Sequence, residues 1–280
     1  MYQLFKRPGA VSGFLIGLCL FIGHPAAASI DSMKVRHFII KSFITLTNSK
    51  PAREQIPQIC RRFNLYQDFD AGASQLLDSL LQTEAFSQCI FDRFRYEYLQ
   101  GASLAEIYNE LEEFKANLND SSYRSQYTKL KDYENRLSKV ATAATDLKNG
   151  SIDIPEMQRR FFDNIIYQEI NMGPDNFINS TFNHLFFRNP TAAELKDAKE
   201  MYKGNRTWFF FKTGEGHPSD DYLQALISSS AYWEGQVRYW YRILLNRDAT
   251  VQEMLTGCSG PRNVKALIKD ILRKREFAGL

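Results

Sequence analysis

One pattern occurs twice in this chain without a gap. Phe182-Asn-His-Leu-Phe-Phe-Arg188-Asn-Pro-Thr191-Ala-Ala-Glu194-Leu195 aligns with Tyr241-Arg-Ile-Leu-Leu-Asn-Arg247-Asp-Ala-Thr250-Val-Gln-Glu253-Met254, 59 residues on. A fainter copy, Phe94 to Ile107, has Ser103 and Glu106 in the same places but Gln100 where the others carry Arg. Ser or Thr followed three residues later by Glu, before an apolar run, is the signature of a capping box at a helix start. Each copy therefore reads as an apolar helix, a turn and a newly capped helix. Arg188 and Arg247 fall in the last turn of the preceding helix, where a cation suits the helix dipole and can reach the Glu of its own box. Arg188, Thr191, Glu194, Arg247, Thr250 and Glu253 are thus expected to be structural turn residues.

A second element accompanies the repeat. Leu81–Phe86, Ile227–Tyr232 and Leu272–Phe277 share an aromatic five residues after an aliphatic. We read each as a helix that ends in an aromatic. Repeated helical units bury their apolar faces against one another.

Helical periodicity extends almost throughout. Apolar residues recur at three- and four-residue steps over 31–48, 70–99 (with a break near Thr83), 103–118, 155–170, 220–246, 250–256 and 261–277. Gly (15) and Pro (9) are scarce in 280 residues. The predicted fold class is all-α, an irregular helical bundle with internal helical repeats. Over 121–148 one long amphipathic helix is expected, with Tyr123, Leu130, Leu137 and Ala144 in one seven-residue row and Tyr133, Val140 and Leu147 in a second. That seam suits either a partner helix or the protein's own body. Asn149-Gly150 ends it, which divides the chain into an N-terminal helical region, 29–150, and a C-terminal repeat region, 151–280.

Residues 1–28 read as a secretory signal peptide. Lys6 and Arg7 precede the apolar run Val11 to Ile22, and Ala26-Ala27-Ala28 offers a small-residue cleavage site. The run is too short for an ordinary membrane span, so no stable span is expected after cleavage. The expected location is periplasmic or extracellular. Removing Lys6 and Arg7 leaves 33 basic and 32 acidic side chains, so the summed charge offers no case for a nucleic-acid partner. Arg61-Arg62, Arg159-Arg160 and Arg273-Lys274-Arg275 are local basic clusters, read as solvated helix faces. Three cysteines remain in the exported chain. Cys60 and Cys89 are the first pair to consider for a disulfide; three reduced, buried thiols are the alternative.

The repeat turn resembles a family motif. Leu185-Phe-Phe-Arg-Asn-Pro-Thr-Ala-Ala-Glu-Leu195, followed by Ala225-Leu-Ile-Ser-Ser-Ser-Ala-Tyr232, is similar to the R-x-P-T-x-x-E-L and A-L-x-x-S-x-x-F pattern of secreted planctomycete-type families of unknown function. Its layout also resembles the phycobilisome-linker-like repeat of bacterial extracellular proteins. The likeness spans about residues 175–280 and implies an exported helical scaffold or interaction module with no inherited catalytic residue. Asp248-Ala249 departs from the Pro-Thr turn, as Gln100 does from the Arg.

Motifs for chemistry are sparse. His37, His184 and His217 form no HExxH, and there is no CxxC, GxSxG or P-loop. No metal or cofactor is implied. The aromatic run Trp208, Phe209, Phe210 and Phe211, with His217 after it, is the best candidate for binding, since four consecutive aromatics cannot share one core-facing side; folding back into the core is the other reading. The function expected is binding of an envelope or extracellular protein by an exported helical scaffold. The alternatives are a hydrolase-like enzyme centred on Glu215 and His217, or an accessory subunit of a secreted complex.

Overall fold

The computed structural model describes residues 32–66, 68–203 and 218–279. The signal-like segment, the Trp208–Phe211 run, Glu215 and His217 lie outside the described residues. Among the described residues, the chain is all-α: sixteen α-helices and one 3-10 turn, with no strand. They are α1 (Ser32–Thr47), α2 (Ile56–Asn64), α3 (Phe69–Leu80), α4 (Glu84–Tyr98), α5 (Leu104–Asn119), α6 (Tyr127–Ala141), α7 (Ala143–Asn149), α8 (Ile154–Phe162), α9 (Ile165–Ile170) and α10 (Pro174–Phe186). Then follow α11 (Ala192–Tyr202), α12 (Pro218–Ser228), α13 (Ser230–Leu245), α14 (Val251–Ser259), α15 (Val264–Leu272) and α16 (Arg275–Ala278).

Helix starts follow side-chain capping chemistry closely. Asp68, Thr83, Ser103, Asp153, Asn164, Thr191, Ser229, Thr250 and Asn263 each accept a backbone N–H of the first turn of their helix. Such caps stabilise a helix by about 1 kcal/mol each. They also correct the second repeated element. Phe86 and Tyr232 do not end helices; their backbone N–H groups bond Thr83 and Ser229, so each sits in the first turn of the next helix. Phe277 likewise belongs to the first turn of α16. The aliphatic and the aromatic stand on opposite sides of a helix-to-helix break: Thr83 and Ser229, better caps than interior helix residues, open the new helix in two copies, and Lys274 holds that place in the third without a side-chain cap.

The long helix expected over 121–148 is also corrected. A 3-10 turn covers Ser121–Gln126, and Thr142 separates α6 from α7. The two-row seam turns inward: Leu130, Leu137, Val140 and Leu147 are buried. Helix α6 packs on α5, and α7 on α4. Ala143, fully buried, lets that backbone approach closely. Most of the apolar periodicity thus belongs to the body of the protein, while Tyr123 at its start stays exposed.

A continuous apolar core runs from Val35 to Ala278 and passes across the turn at Gly150. Its centre is a buried polar network joining both halves of the chain. Gln158 of α8 donates to the Tyr98 hydroxyl (2.6 Å) and accepts from Tyr232 (2.9 Å) and Gln236 (3.1 Å); Gln236 in turn accepts from the Trp240 indole (3.2 Å). Every member is satisfied, as burial of polar groups demands. Beside it, His184 meets the Tyr167 hydroxyl at 3.0 Å and lies against the rings of Tyr98 and Phe162. Burial pulls its pKa down to about 4, which keeps the imidazole neutral near pH 7. Arg136 of α6 pairs with buried Asp163 and with Asp132. Cys60, Cys89 and Cys258 are free thiols, so the considered Cys60–Cys89 bridge is not formed.

Candidate functional site at the third repeat turn

All three turns carry a capping box, and the second and third share a fuller construction. In the second copy, Arg188 forks the Glu194 carboxylate with two bonds of 2.6 Å, Thr191 N–H donates to the same carboxylate at 2.8 Å, and Glu194 N–H returns to the Thr191 hydroxyl at 3.3 Å. The guanidinium beside it holds Glu194 down to about 2. The third copy repeats this with Arg247 on Glu253 (2.8 and 2.9 Å), Thr250 N–H on Glu253 (2.8 Å) and Glu253 N–H on Thr250 (3.3 Å). Each Arg also donates to the carbonyl of the residue after it, Asn189 or Asp248. The six residues expected from sequence to build these turns therefore do so, in two copies of nearly one geometry.

The first copy closes differently. Two successive residues, Gln100 (φ 50°) and Gly101 (φ 80°), are left-handed there, whereas Phe187 (φ 57°) and Asn246 (φ 54°) alone serve the other two. Arg95, a turn earlier on α4, reaches the same kind of acceptor, donating to Ala102 O (2.6 Å) and Gly101 O (3.3 Å). Sequence alignment found no Arg because the cation comes from a different register.

The third turn carries more than its sequence twin. Arg247 bonds a second carboxylate, Glu276 of α16, through Nε (2.9 Å) and Nη2 (2.7 Å). Lys274 pairs with Glu253 at 3.1 Å and lies over the Tyr241 ring, as does Arg247. These bonds hold Glu253 far below the usual carboxylate range. The start of α14 is therefore tied to the C-terminal helices. Its other end is held by Trp233 of α13, whose indole donates to Gly257 O at 2.7 Å. Gly257 permits this closeness: a Cβ there would meet a Val237 methyl at 2.9 Å.

Between those two ends, α14 has no buried residue. Val251 is 79% exposed and Leu255 58%, one turn apart on the same face. Behind the helix is a cleft of about 310 Å³, floored by Trp233, Tyr241, Leu267 and Ile271, with Asp270 at its edge. The 59-residue offset explains the space. Buried Met201 of α11 corresponds to Gly260, where an added Cβ would meet nothing nearer than the Thr256 carbonyl at 3.8 Å, so the third copy lacks that side chain; Gly257, the counterpart of Ala198, is already tight against Val237. The volume is at the lower end for a ligand or peptide side-chain site, roughly 300 Å³ and upward. Periodicity alone did not point here, and both glycines lie beyond the end of the aligned copies at Met254.

Among the described residues, no cluster of His, Cys, Asp or Glu could hold a metal ion. Compared with protein-family models, with curated proteins and with solved structures, the chain matches none. Fold and site together define a class: an all-α protein whose core is joined by repeated capped turns.

Proposed function

We propose that this protein is an exported helical scaffold that binds an envelope or extracellular protein through its third repeat unit. The observation that carries this reading is α14: a helix fastened at both ends, with an exposed Val251–Leu255 face and an apolar-floored cleft behind it. Helix faces read by their i and i+4 anchors are a recurrent mode of peptide and helix recognition. The end bonds pre-order the helix, which lowers the entropy cost of docking. The likeness of the turn to secreted scaffold-type modules supports the same reading, and the leader-like N-terminus supports export.

The test is a photo-crosslinking side chain placed at Leu255 in cells, with the same group at Lys196 as control. Lys196 is the exposed equivalent in the second copy. A discrete adduct from 255 and none from 196 is the expected result. No adduct at 255, or equal adducts at both, overturns the proposal.

A further inference from the structure

The balanced total charge conceals a strong local imbalance. Residues 32–66 hold seven Lys and Arg against one acid, Glu54, while residues 67–280 hold 26 basic and 30 acidic side chains. The fold gathers the cations on α1, α2 and the turn between them. Lys50, Arg53, Arg61 and Arg62 are all exposed and, among the described residues, none enters an ion pair. Elsewhere the guanidinium groups of Arg136, Arg160, Arg188 and Arg247 each rest on a carboxylate.

The same end exposes apolar surface. Two grooves flank α2. One, of about 440 Å³, has Arg36 and Arg53 beside Ile56 and Cys60. The other, of about 490 Å³, sets Arg62 among Phe43, Ile59, Leu65 and Tyr66. Leu65 is 79% exposed and Tyr66 44%, immediately after the Arg61-Arg62 turn. Projecting Leu and Tyr beside unpaired Arg is the composition of an interfacial helix, whose apolar tips enter the acyl boundary while its cations meet phosphate.

We infer that the α1–α2 end binds the surface of an anionic phospholipid bilayer, with Arg53, Arg61 and Arg62 on lipid phosphates and Leu65 and Tyr66 in the interface. Charge complementarity names the occupant, and the outward projection of the two apolar side chains favours a bilayer over an acidic protein partner, whose side chains would enter the grooves. The attachment is peripheral: no described helix is long and apolar enough to cross a membrane. It is independent of α14, so the two surfaces are separable by mutation.

The experiment is vesicle co-sedimentation with the chain from residue 29 onward, which keeps every described residue and omits the apolar leader. Vesicles are phosphatidylcholine alone or mixed equally with phosphatidylglycerol. The expected result is binding to the mixed vesicles only, weakening steeply as salt rises from about 0.1 M to about 0.5 M. Arg61→Glu with Arg62→Glu lowers the affinity by about tenfold or more. Leu65→Ser with Tyr66→Ser lowers it several-fold at unchanged charge. Circular dichroism melts establish that each variant is folded; should either pair unfold, the single substitutions Arg62→Gln and Leu65→Ser replace it. Equal binding to both vesicles, no binding to either, or indifference to the charge substitutions overturns the inference. Indifference to the Leu65 and Tyr66 substitutions overturns it too, by removing the interfacial insertion.

Discussion

Gly235 of α13 touches the backbone of α10: a Cβ added there would stand 1.9 Å from the carbonyl oxygen of Leu185. This crossing joins the second repeat copy to the third, helix on helix. Gly235→Ala is expected to destabilise the protein by about 3 kcal/mol or more, because backbone on both sides must move. Chemical denaturation measures it. An unchanged midpoint would mean that the two helices slide apart at no cost.

His184 makes stability depend on pH. Its folded pKa is depressed to about 4 by burial, against an ordinary value of 6.5. The neutral form is therefore the one the fold accepts. This contribution is fully present above about pH 6.5 and is lost as pH falls towards 4, to a limit of about 3 kcal/mol. Ile243 occupies the equivalent place in the third copy. His184→Ile should flatten the stability profile over that window, as read by urea unfolding at several pH values. An equal slope in the variant sinks the assignment.

The Arg247 clamp fastens the start of α14. Its side chain is about one-third exposed (32%), which screens the pairs, so Arg247→Leu should cost only about 1–2 kcal/mol. The loss should be local. Hydrogen exchange of amides 251–259 should accelerate while α11, held by Arg188, keeps its protection. Equal acceleration in both helices would mean that the clamp acts on the whole fold.

Gly260 leaves the cleft open and has extended backbone (φ −82°, ψ −179°) that any residue adopts. Gly260→Met restores the side chain found at Met201. It should stabilise the protein by about 1 kcal/mol, seen as a higher Tm, and should suppress crosslinking from position 255. A stabilised variant with unchanged crosslinking would place partner binding on the outer face alone.

Much of the fold was legible because capping is local chemistry. The boxes at Ser103, Thr191 and Thr250 involve atoms three residues apart, so sequence spacing suffices to place them. The break within 121–148 was not legible. A seven-residue apolar row continues across Thr142, and the interruption there accompanies a change of packing partner, α6 lying on α5 and α7 on α4. The aromatic residues after each cap were assigned to the wrong helix for a related reason: periodicity does not record which side of a short polar residue the helix begins.

The candidate site divides along the same line. Arg247, Thr250 and Glu253 were found in advance, since all three lie on one turn. Glu276 and Lys274 reach that turn from the C-terminal segment, and the Trp233 indole holds the far end of α14; their sequence separation carries no signal of it. From sequence alone came an all-α chain, the three capping boxes at Ser103, Thr191 and Thr250, and two Arg–Glu turns 59 residues apart. Tertiary packing decided which of those turns is filled and which is left with a cleft, because a missing side chain becomes space only when the helices around it cannot close in.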